Sequence, residues 1–352
     1  MRRLAGMAAL AAVLGVVTLP AAAQEIELNI VTGGPAGTYI QIGRDIAALG
    51  EACGQTLNVR ESAGSLENAV AVRDRPVTQF GIVQSDVLEY LQTFREERPE
   101  LGRIADGLRV VFPLYDEEVH VLARREIGSL AELEGRRVAL GVQDSGNFIT
   151  AQLVLDLAQV EPAERRTDLA PSAALEALLA GEIDAMFYVV GAPAALFEQA
   201  EIDGGAFHLL PMDDPVLRAV YTPTAIEGGT YGFVEEDVDI VAVKAVLVTF
   251  AFDPRQSAYH RRACRGVSDF TYLLTTRFDE LRENGHPKWR EVDATAIPPG
   301  WAVAGCALDG LDPAYRFTCV APDGTVTEEG AEPDMPEANL LFLRRVCERI
   351  GC

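Results

Sequence analysis

Strand-like and helix-like runs alternate along most of the chain, and this alternation constrains the fold more than any other feature of the sequence. The chain passes from LNIVT into the helical pattern IQIGRDIAALG, and from QFGIVQ into SDVLEYLQTFREE. It repeats the pattern with RRVALG and NFITAQLVLDLAQ. Such units place parallel strands in a sheet that helices cover. We therefore predict an α/β fold with mainly parallel sheets.

The N-terminal segment has the pattern of an export signal. Arg2 and Arg3 precede the apolar run LAGMAALAAVLGVVTL, and the small residues Ala21–Ala23 follow it. An anchoring helix is the weaker interpretation, because the apolar run is shorter than the roughly 20 residues that span a bilayer. We expect cleavage near Ala23 and a mature chain that acts in the periplasm.

Two long extended segments divide the mature chain. Residues 108–124 contain two consecutive extended runs, and residues 231–252 are predicted to form one long buried strand that crosses between two lobes. The insert between these segments would then be a lobe of its own. The predicted parts are a signal peptide at 1–23, lobe one at 24–113 plus 236–300, lobe two at 114–235, and an irregular, cysteine-bearing C-terminal extension at 301–352 packed on lobe one.

The cysteines support this division. An even number in an exported chain predicts disulfides, although the sequence leaves their pairing open. None falls within 114–235, so the disulfides would tie only lobe one and its extension. The chain has no CxxC motif and four scattered histidines, which argues against a zinc site, and we expect neither metal nor cofactor. The six cysteines are Cys53, Cys264, Cys306, Cys319, Cys347 and Cys352.

The charge of the chain excludes several partners. The formal net charge is −23, and removal of Arg2 and Arg3 with the signal would make it more negative still. An acidic surface repels nucleic acid backbones and anionic lipid headgroups. We therefore expect neither nucleic acid nor a membrane surface as a partner.

A glycine-rich turn lies between the first predicted strand and helix, in TGGPAGTYIQIG at 32–43. Its spacing is not the G-x-G-x-x-G of dinucleotide sites, and Pro35 lacks an N–H that a pyrophosphate would use. No lysine precedes Thr38, so the turn is not a P-loop either. The remaining functional interpretation is a small anion, such as a carboxylate, at the helix start. Taken alone, the turn is better explained as a plain strand-to-helix connection.

A second turn of the same kind favours the ligand-binding interpretation. The run LGVQDSGNFITAQL at 140–153 again leads from a strand through a glycine-containing turn into a helix. One such turn falls in each predicted lobe, and loops at the carboxyl ends of parallel strands line the ligand crevice in such folds. We predict that the two helix starts face each other and hold one small anion.

Several stretches, taken in order, resemble a known family. They include SAGSLENAV at 62–70, FGIVQSDVLEY at 80–90, LYDEEVHVLAR at 114–124 and HPKWREVD at 286–293, beside the two glycine turns. Also similar are LLAGEIDAMFYVVGAPAALF and YGFVEEDVDIVAVKAVLVT. Together they resemble the TAXI-type solute receptors of TRAP transporters, a branch of the periplasmic binding proteins. The resemblance covers nearly the whole mature chain to about residue 301.

This resemblance implies the type II periplasmic-binding-protein fold, with a cleft that closes on a small organic acid or amino acid. It also implies delivery to TRAP-type membrane permease subunits, and we expect a monomeric receptor. The positions that the resemblance places at the ligand are Gly33, Gly34, Thr38, Tyr39, Ser65, Asn68, Gln84, Asp86, Ser145, Gly146, Asn147, Tyr188 and Gly191.

Some of these positions have an equally good structural explanation. Tyr39 suits a core tyrosine as well as a cleft wall, and Tyr188 could simply pack. Asp86 lies in the first turn of a helix, where a carboxylate complements the helix dipole, and we favour that role. Asp184, just after a turn, is interpreted as structural. No arginine is placed in the site.

The sequence does not predict an enzyme. It contains no HExxH or GxSxG motif and no cysteine with a plausible histidine partner. His120 and His208 fall in or near predicted strands and are read as core or surface residues. The tandem Glu117 and Glu118 are interpreted as solvated charge or interlobe contacts. The alternatives are a receptor subunit of a membrane sensor and, more weakly, a periplasmic enzyme on the same fold.

Overall fold

The computed structural model describes residues 27–330. The predicted signal peptide at 1–23, the last part of the C-terminal extension, and Cys347 and Cys352 lie outside the described residues. No helix among the described residues is long and apolar enough to cross a membrane.

One large sheet runs through the molecule. Its strands follow the order β2-β1-β3-β10-β4-β7-β5-β6, while β8 pairs with β4 and β9 with β10. The strands are β1 Leu28–Val31, β2 Leu57–Arg60, β3 Phe80–Gln84, β4 Leu108–Arg124, β5 Arg137–Ala139, β6 Glu164–Arg166, β7 Ala185–Val190, β8 Phe207–Leu209, β9 Thr222–Ile226 and β10 Val238–Phe250. A separate hairpin pairs β11 Arg316–Val320 with β12 Val326–Gly330.

Helices connect most of these strands. They are α1 Thr38–Glu51, α2 Ser65–Asp74, α3 Ser85–Thr93, α4 Pro99–Gly107, α5 Gly146–Leu157, α6 Pro171–Leu179, α7 Ala195–Gln199, α8 Pro215–Val220, α9 Ala258–Thr276, α10 Phe278–Asn284 and α11 Gly305–Leu311. Two short 3-10 helices cover Leu130–Leu133 and Pro287–Glu291.

The two ends of the sheet repeat one arrangement. β1 pairs in parallel with β2 and β3, and β5 pairs in parallel with β6 and β7. In each half an antiparallel strand follows, β10 beside β3 and β4 beside β7. We call the half around β1–β3 lobe one and the half around β5–β7 lobe two. The predicted α/β fold with two lobes is confirmed.

Two long antiparallel strands, β4 and β10, join the lobes. The sequence suggested two extended runs at 108–124, but the structure has one strand of 17 residues there. The strand predicted over 231–252 is shorter, 13 residues from Val238 to Phe250. Both strands are buried along most of their length because a different core covers each end. The residue limits predicted for the lobes stay a prediction.

Both disulfides within the described residues hold the C-terminal segments on lobe one. Cys53, just after α1, bonds to Cys319 in β11, and Cys264 in α9 bonds to Cys306 in α11. These bonds agree with the predicted cysteine-bearing extension packed on lobe one. They span 266 and 42 residues of sequence, so each closes a substantial loop.

Candidate functional site

A cavity of about 390 Å³ lies between the two lobes. Its lining comes from the ends of parallel strands and the starts of the helices that follow them. Four helix starts contribute: α1 and α2 from lobe one, and α5 and α6 from lobe two. The lining residues are Gly33–Tyr39, Ser62–Ser65, Gln84, Glu117, Gly141, Val142, Ser145–Asn147, Ala170–Ser172 and Tyr188–Val190.

The helix starts leave backbone donors near this cavity. The first N–H groups of a helix have no partner within the helix, and they carry the positive end of its dipole. The residues before α1, α2 and α6 provide no side-chain cap, whereas Ser145 caps α5 by accepting from Phe148 N at 3.1 Å. The two glycine turns singled out in the sequence therefore meet at one cavity, and they bring donors from both lobes.

Asn68, one of the predicted ligand residues, serves the scaffold instead. Its amide Nδ2 donates to the carbonyls of Thr32, just after β1, and Ile82, within the neighbouring strand β3. Its Oδ1 accepts from the Ser62 hydroxyl at 2.6 Å. The side chain is fully buried and outside the cavity lining. Asn68 thus links β1 to β3 and supports the cavity wall without lining the cavity.

Asn147 occupies the equivalent place in lobe two. Its Nδ2 donates to the carbonyls of Leu140 at 2.7 Å and Phe187 at 3.1 Å, and its Oδ1 accepts from Val189 N at 2.6 Å. Asn147 does line the cavity, but these three bonds use its amide. The two asparagines therefore perform the same structural task, one in each lobe.

The lobes touch at the starts of α2 and α5. Glu67 N donates to the Asp144 carbonyl at 3.3 Å across the gap. A Cβ atom added to Gly146 would collide with Gln84 Oε1 and would lie 2.6 Å from Ser65 Oγ. The structure therefore shows the lobes closed on each other, and a residue larger than glycine at the head of α5 would require Gln84 and Ser65 to shift.

Glu117 is a cavity residue that the sequence interpretation missed. It was expected to be solvated charge or an interlobe contact; its exposure of 3 % excludes the first, and Tyr39 OH from α1 donates to its Oε2 at 2.6 Å. Burial raises the pKa of Glu117 to about 8, and the nearby Glu118 and Asp86 add to this rise. Tyr39 combines both roles considered for it, since it is buried and also lines the cavity.

The side chain of Glu118 lies on the opposite face of β4 from Glu117 and forms a buried ion pair. Lys288 Nζ lies 2.6 Å from Glu118 Oε1, and Ala192 N donates to Oε2 at 2.6 Å. Burial raises the pKa of Glu118 above its ordinary value, although Lys288 opposes the rise. Burial works against the charged form of Lys288, but Glu118 and Glu291 together leave its pKa above the usual value. Of the two roles expected for Glu118, solvated charge is wrong, whereas an interlobe contact fits its pairing with Lys288.

Gly191 lies behind the cavity wall, next to this ion pair. Its carbonyl accepts from Thr38 Oγ1 at 3.4 Å. A Cβ atom there would lie 2.9 Å from the ring of Tyr115 and 3.1 Å from Lys288 Cε. Gly191 is outside the cavity lining, so the structure gives it a close-packing role between the lobes.

Asp86, also predicted at the ligand, is likewise outside this cavity. Its Oδ2 accepts from Thr150 Oγ1 at 2.7 Å and from Tyr221 OH at 3.4 Å, and both donors belong to lobe two. It lines a second interlobe cavity of about 430 Å³ with Lys244 and Trp301. Burial raises the pKa of Asp86 to about 6 despite these bonds. Asp86 is thus an interlobe contact, beyond the dipole role that we favoured for it.

We expect Asp86→Asn to stabilise the protein by about 1–2 kcal/mol at pH 8. The folded pKa of about 6 exceeds the unfolded value near 3.9, so ionised Asp86 costs stability above that lower value. The cost shrinks as the pH falls from 6 towards 4. Urea unfolding at pH 8 and pH 4.5 measures both differences. A variant that is less stable at pH 8 than at pH 4.5, relative to the parent, would contradict this account.

The remaining sequence-based assignments divide as follows. Asp184 is structural, as expected, because it pairs with Arg137 at 2.7 Å. His120 is a buried core residue that bonds to Tyr231 OH at 2.9 Å. Burial lowers the pKa of His120 to about 4, so it is neutral at pH 7. The predicted ligand residues that line the cavity are Gly33, Gly34, Thr38, Tyr39, Ser65, Gln84, Ser145, Gly146, Asn147 and Tyr188.

The chain is similar to several proteins of known structure. The chain is similar to the structure of the periplasmic binding protein BugD, at 11 % identity and TM-score 0.44, over 71 % of this chain and 86 % of that one. It is similar to MatC from Rhodopseudomonas palustris with bound malate, at 20 % identity and TM-score 0.44, over 72 % and 88 %. It is also similar to a TctC solute binding protein from Polaromonas, at 14 % identity and TM-score 0.38, over 94 % and 98 %.

A profile of one family matches most of the described chain. The match covers residues 30–260, which include both glycine turns and both strands that join the lobes. On this evidence the chain belongs to the NMT1-like family.

Proposed function

We propose that the protein is a periplasmic solute-binding receptor that captures a small carboxylate in the interlobe cavity. The observation that carries this proposal is the meeting of four helix starts, two from each lobe, at one cavity of about 390 Å³. Helix starts favour anions, because their free N–H groups and dipoles both point at the ligand. Membership of the NMT1-like family supports the proposal.

Capture works through closure of the lobes. A ligand that bridges N–H groups of α1 and α2 on one side and α5 and α6 on the other has its full set of contacts only when the lobes are closed. Ligand binding therefore shifts the open and closed populations towards the closed form. The contacts between Glu67 and Asp144, and between Asp86 and Thr150, add to the same closed form.

The delivery step involves a membrane partner. We propose TRAP-type permease subunits, because the sequence resembles the TAXI-type receptors that serve them. A receptor of this kind presents its closed, liganded shape to the permease, which distinguishes it from the open form. The resemblance and the two-lobe fold support this step.

A thermal-shift screen with dicarboxylates, 2-oxoacids and amino acids tests the proposal. A true ligand at about 100 times its Kd stabilises the folded state by about 2.7 kcal/mol, which corresponds to a Tm rise of roughly 3–5 °C for a chain of this size. Calorimetric titration should then give one site per chain. A broad library of acids without a single stabilising compound would count against the proposal. Mass spectrometry of the recovered ligand checks that it is unchanged, as a binding protein requires.

A further inference from the structure

The cavity has an unbalanced set of charged groups. Among its lining residues, all of which the structure describes, there is no lysine, arginine or histidine, and Glu117 is the only acidic side chain. Lys288, the buried lysine that contacts the adjacent Glu118, is already paired with Glu118 and Glu291. Glu117 therefore faces the cavity without a cation of its own.

The groups packed around Glu117 do not supply that cation. Tyr39 from α1 donates a hydrogen bond to it, and Gln84 at the end of β3 is a further polar neighbour. Glu118 and Asp86 make its surroundings more negative, and Tyr115 and Tyr188 are neutral at pH 7, as a tyrosine ordinarily is, with their pKa values raised further by burial. The carboxyl of Glu117 is thus buried and has no cationic partner on its cavity side.

The cavity consequently has two chemically different poles. Its helix starts favour an anionic group, whereas the carboxyl of Glu117 favours a cationic donor. An amine-free acid would satisfy only the first pole and would leave Glu117 without a cationic partner. A ligand with a carboxylate and an ammonium satisfies both, since buried charges are stable when each is paired.

We propose that Glu117 is the specificity-determining residue of this site and that it selects acids carrying an ammonium group, that is, amino acids, by pairing with that group. The inference rests on the proposed function, because it concerns what the same cavity recognises. Binding of such a ligand ionises Glu117, so a proton leaves the cavity when the ammonium enters. Tyr39 holds the carboxyl in place through its hydroxyl.

Matched sets of acids with the same carbon skeleton test this selection. The first set is L-alanine, L-lactate and pyruvate, the second L-aspartate, L-malate and oxaloacetate, and the third L-glutamate, L-2-hydroxyglutarate and 2-oxoglutarate. Within the set that binds, we expect the amine to bind about tenfold or more tightly than its hydroxy and oxo counterparts. Glu117→Gln should lower the affinity for the amine by a similar factor and leave little preference within the set. Glu51→Gln, exposed at the far end of α1, is the matched control.

The pH dependence gives an independent readout on the unmodified protein. Glu117 has a pKa of about 8 in the free site, and pairing lowers that pKa in the complex. Affinity for the amine should therefore rise by up to about tenfold per pH unit from pH 6 and level off near pH 8. Glu117→Gln should remove this slope. Calorimetry in two buffers of different ionisation enthalpy should show release of about one proton per ligand at pH 7.

Each remaining outcome has a definite meaning. An amine-free acid that binds as tightly as its amine counterpart, with affinity that falls above pH 8, would show that protonated Glu117 donates to the ligand, and it would overturn the inference while the proposed function stands. Unchanged affinity in Glu117→Gln would also overturn it. Failure of every acid to bind would instead remove the proposed function itself.

Discussion

Replacing Gly146 with alanine should reduce ligand affinity by about 100-fold and leave the fold intact. The added methyl group would collide with Gln84 Oε1 and approach Ser65 Oγ to 2.6 Å, and both of those side chains belong to lobe one. Gln84 cannot readily move aside, because it is 2 % exposed and bonded to Ser65. A 100-fold loss corresponds to about 2.7 kcal/mol, which is within the usual cost of overpacking. The collision exists only in the closed form, so the open form should be as stable as before.

Calorimetric titration with the acid found in the screen measures this loss, and small-angle scattering follows closure directly. The parent protein should become more compact on ligand addition, whereas Gly146→Ala should change little. Gly305→Ala is the matched control, since a Cβ atom there meets no other atom within 4 Å. Parental affinity in Gly146→Ala, with normal compaction, would show that closure does not bring α5 against Gln84.

Replacing Lys288 with methionine should destabilise the protein by about 3–5 kcal/mol at pH 8. The side chains of Lys288 and Glu118 are 2 % and 9 % exposed, so removal of the lysine leaves a buried carboxylate without its cation. The pKa of Glu118 is above its ordinary value even with Lys288 present, and it should rise further without it. Because a raised folded pKa costs stability above the unfolded value, the loss should shrink as the pH falls towards 5.

Urea unfolding at pH 8 and pH 5 measures the effect, and two variants control for it. Glu291→Gln removes the other partner of Lys288, but Glu291 is 52 % exposed, so the cost should stay below about 1 kcal/mol. The double variant Glu118→Gln with Lys288→Met should recover part of the loss, because no charge is then left buried. A loss in Lys288→Met that is equal at both pH values would point to lost packing rather than an unpaired carboxylate.

The sequence predicted the parts of the fold that depend on local pattern. Alternating strands and helices, both glycine turns, and the cysteine-free lobe two are readable because each follows from residues close together in the chain. The single strand β4 was split into two runs, since Pro113 and Asp116 resemble a break when the partner strands are unknown. Its continuity comes from β10, β7 and β8, which pair with it from distant parts of the sequence.

The helix starts around the cavity could be predicted because local glycine turns form them, whereas the positions of the buried side chains could not, because tertiary packing sets them. Glu117 and Glu118 look like a solvated pair, but successive residues in a strand point to opposite faces. One side chain therefore reaches the cavity and the other reaches Lys288, which lies 170 residues further along the chain. Asp86 and Gly191 were assigned to the ligand by the family resemblance, yet both make contacts between the lobes outside the cavity lining.

The two disulfides, Cys53–Cys319 and Cys264–Cys306, have both ends in lobe one and the segments packed on it. Reduction of these disulfides in a less oxidising environment would accordingly make lobe one unfold sooner. The movement of lobe two relative to lobe one would keep the same rate, because neither disulfide connects the two lobes. The disulfides thereby stabilise lobe one without restricting the movement of lobe two.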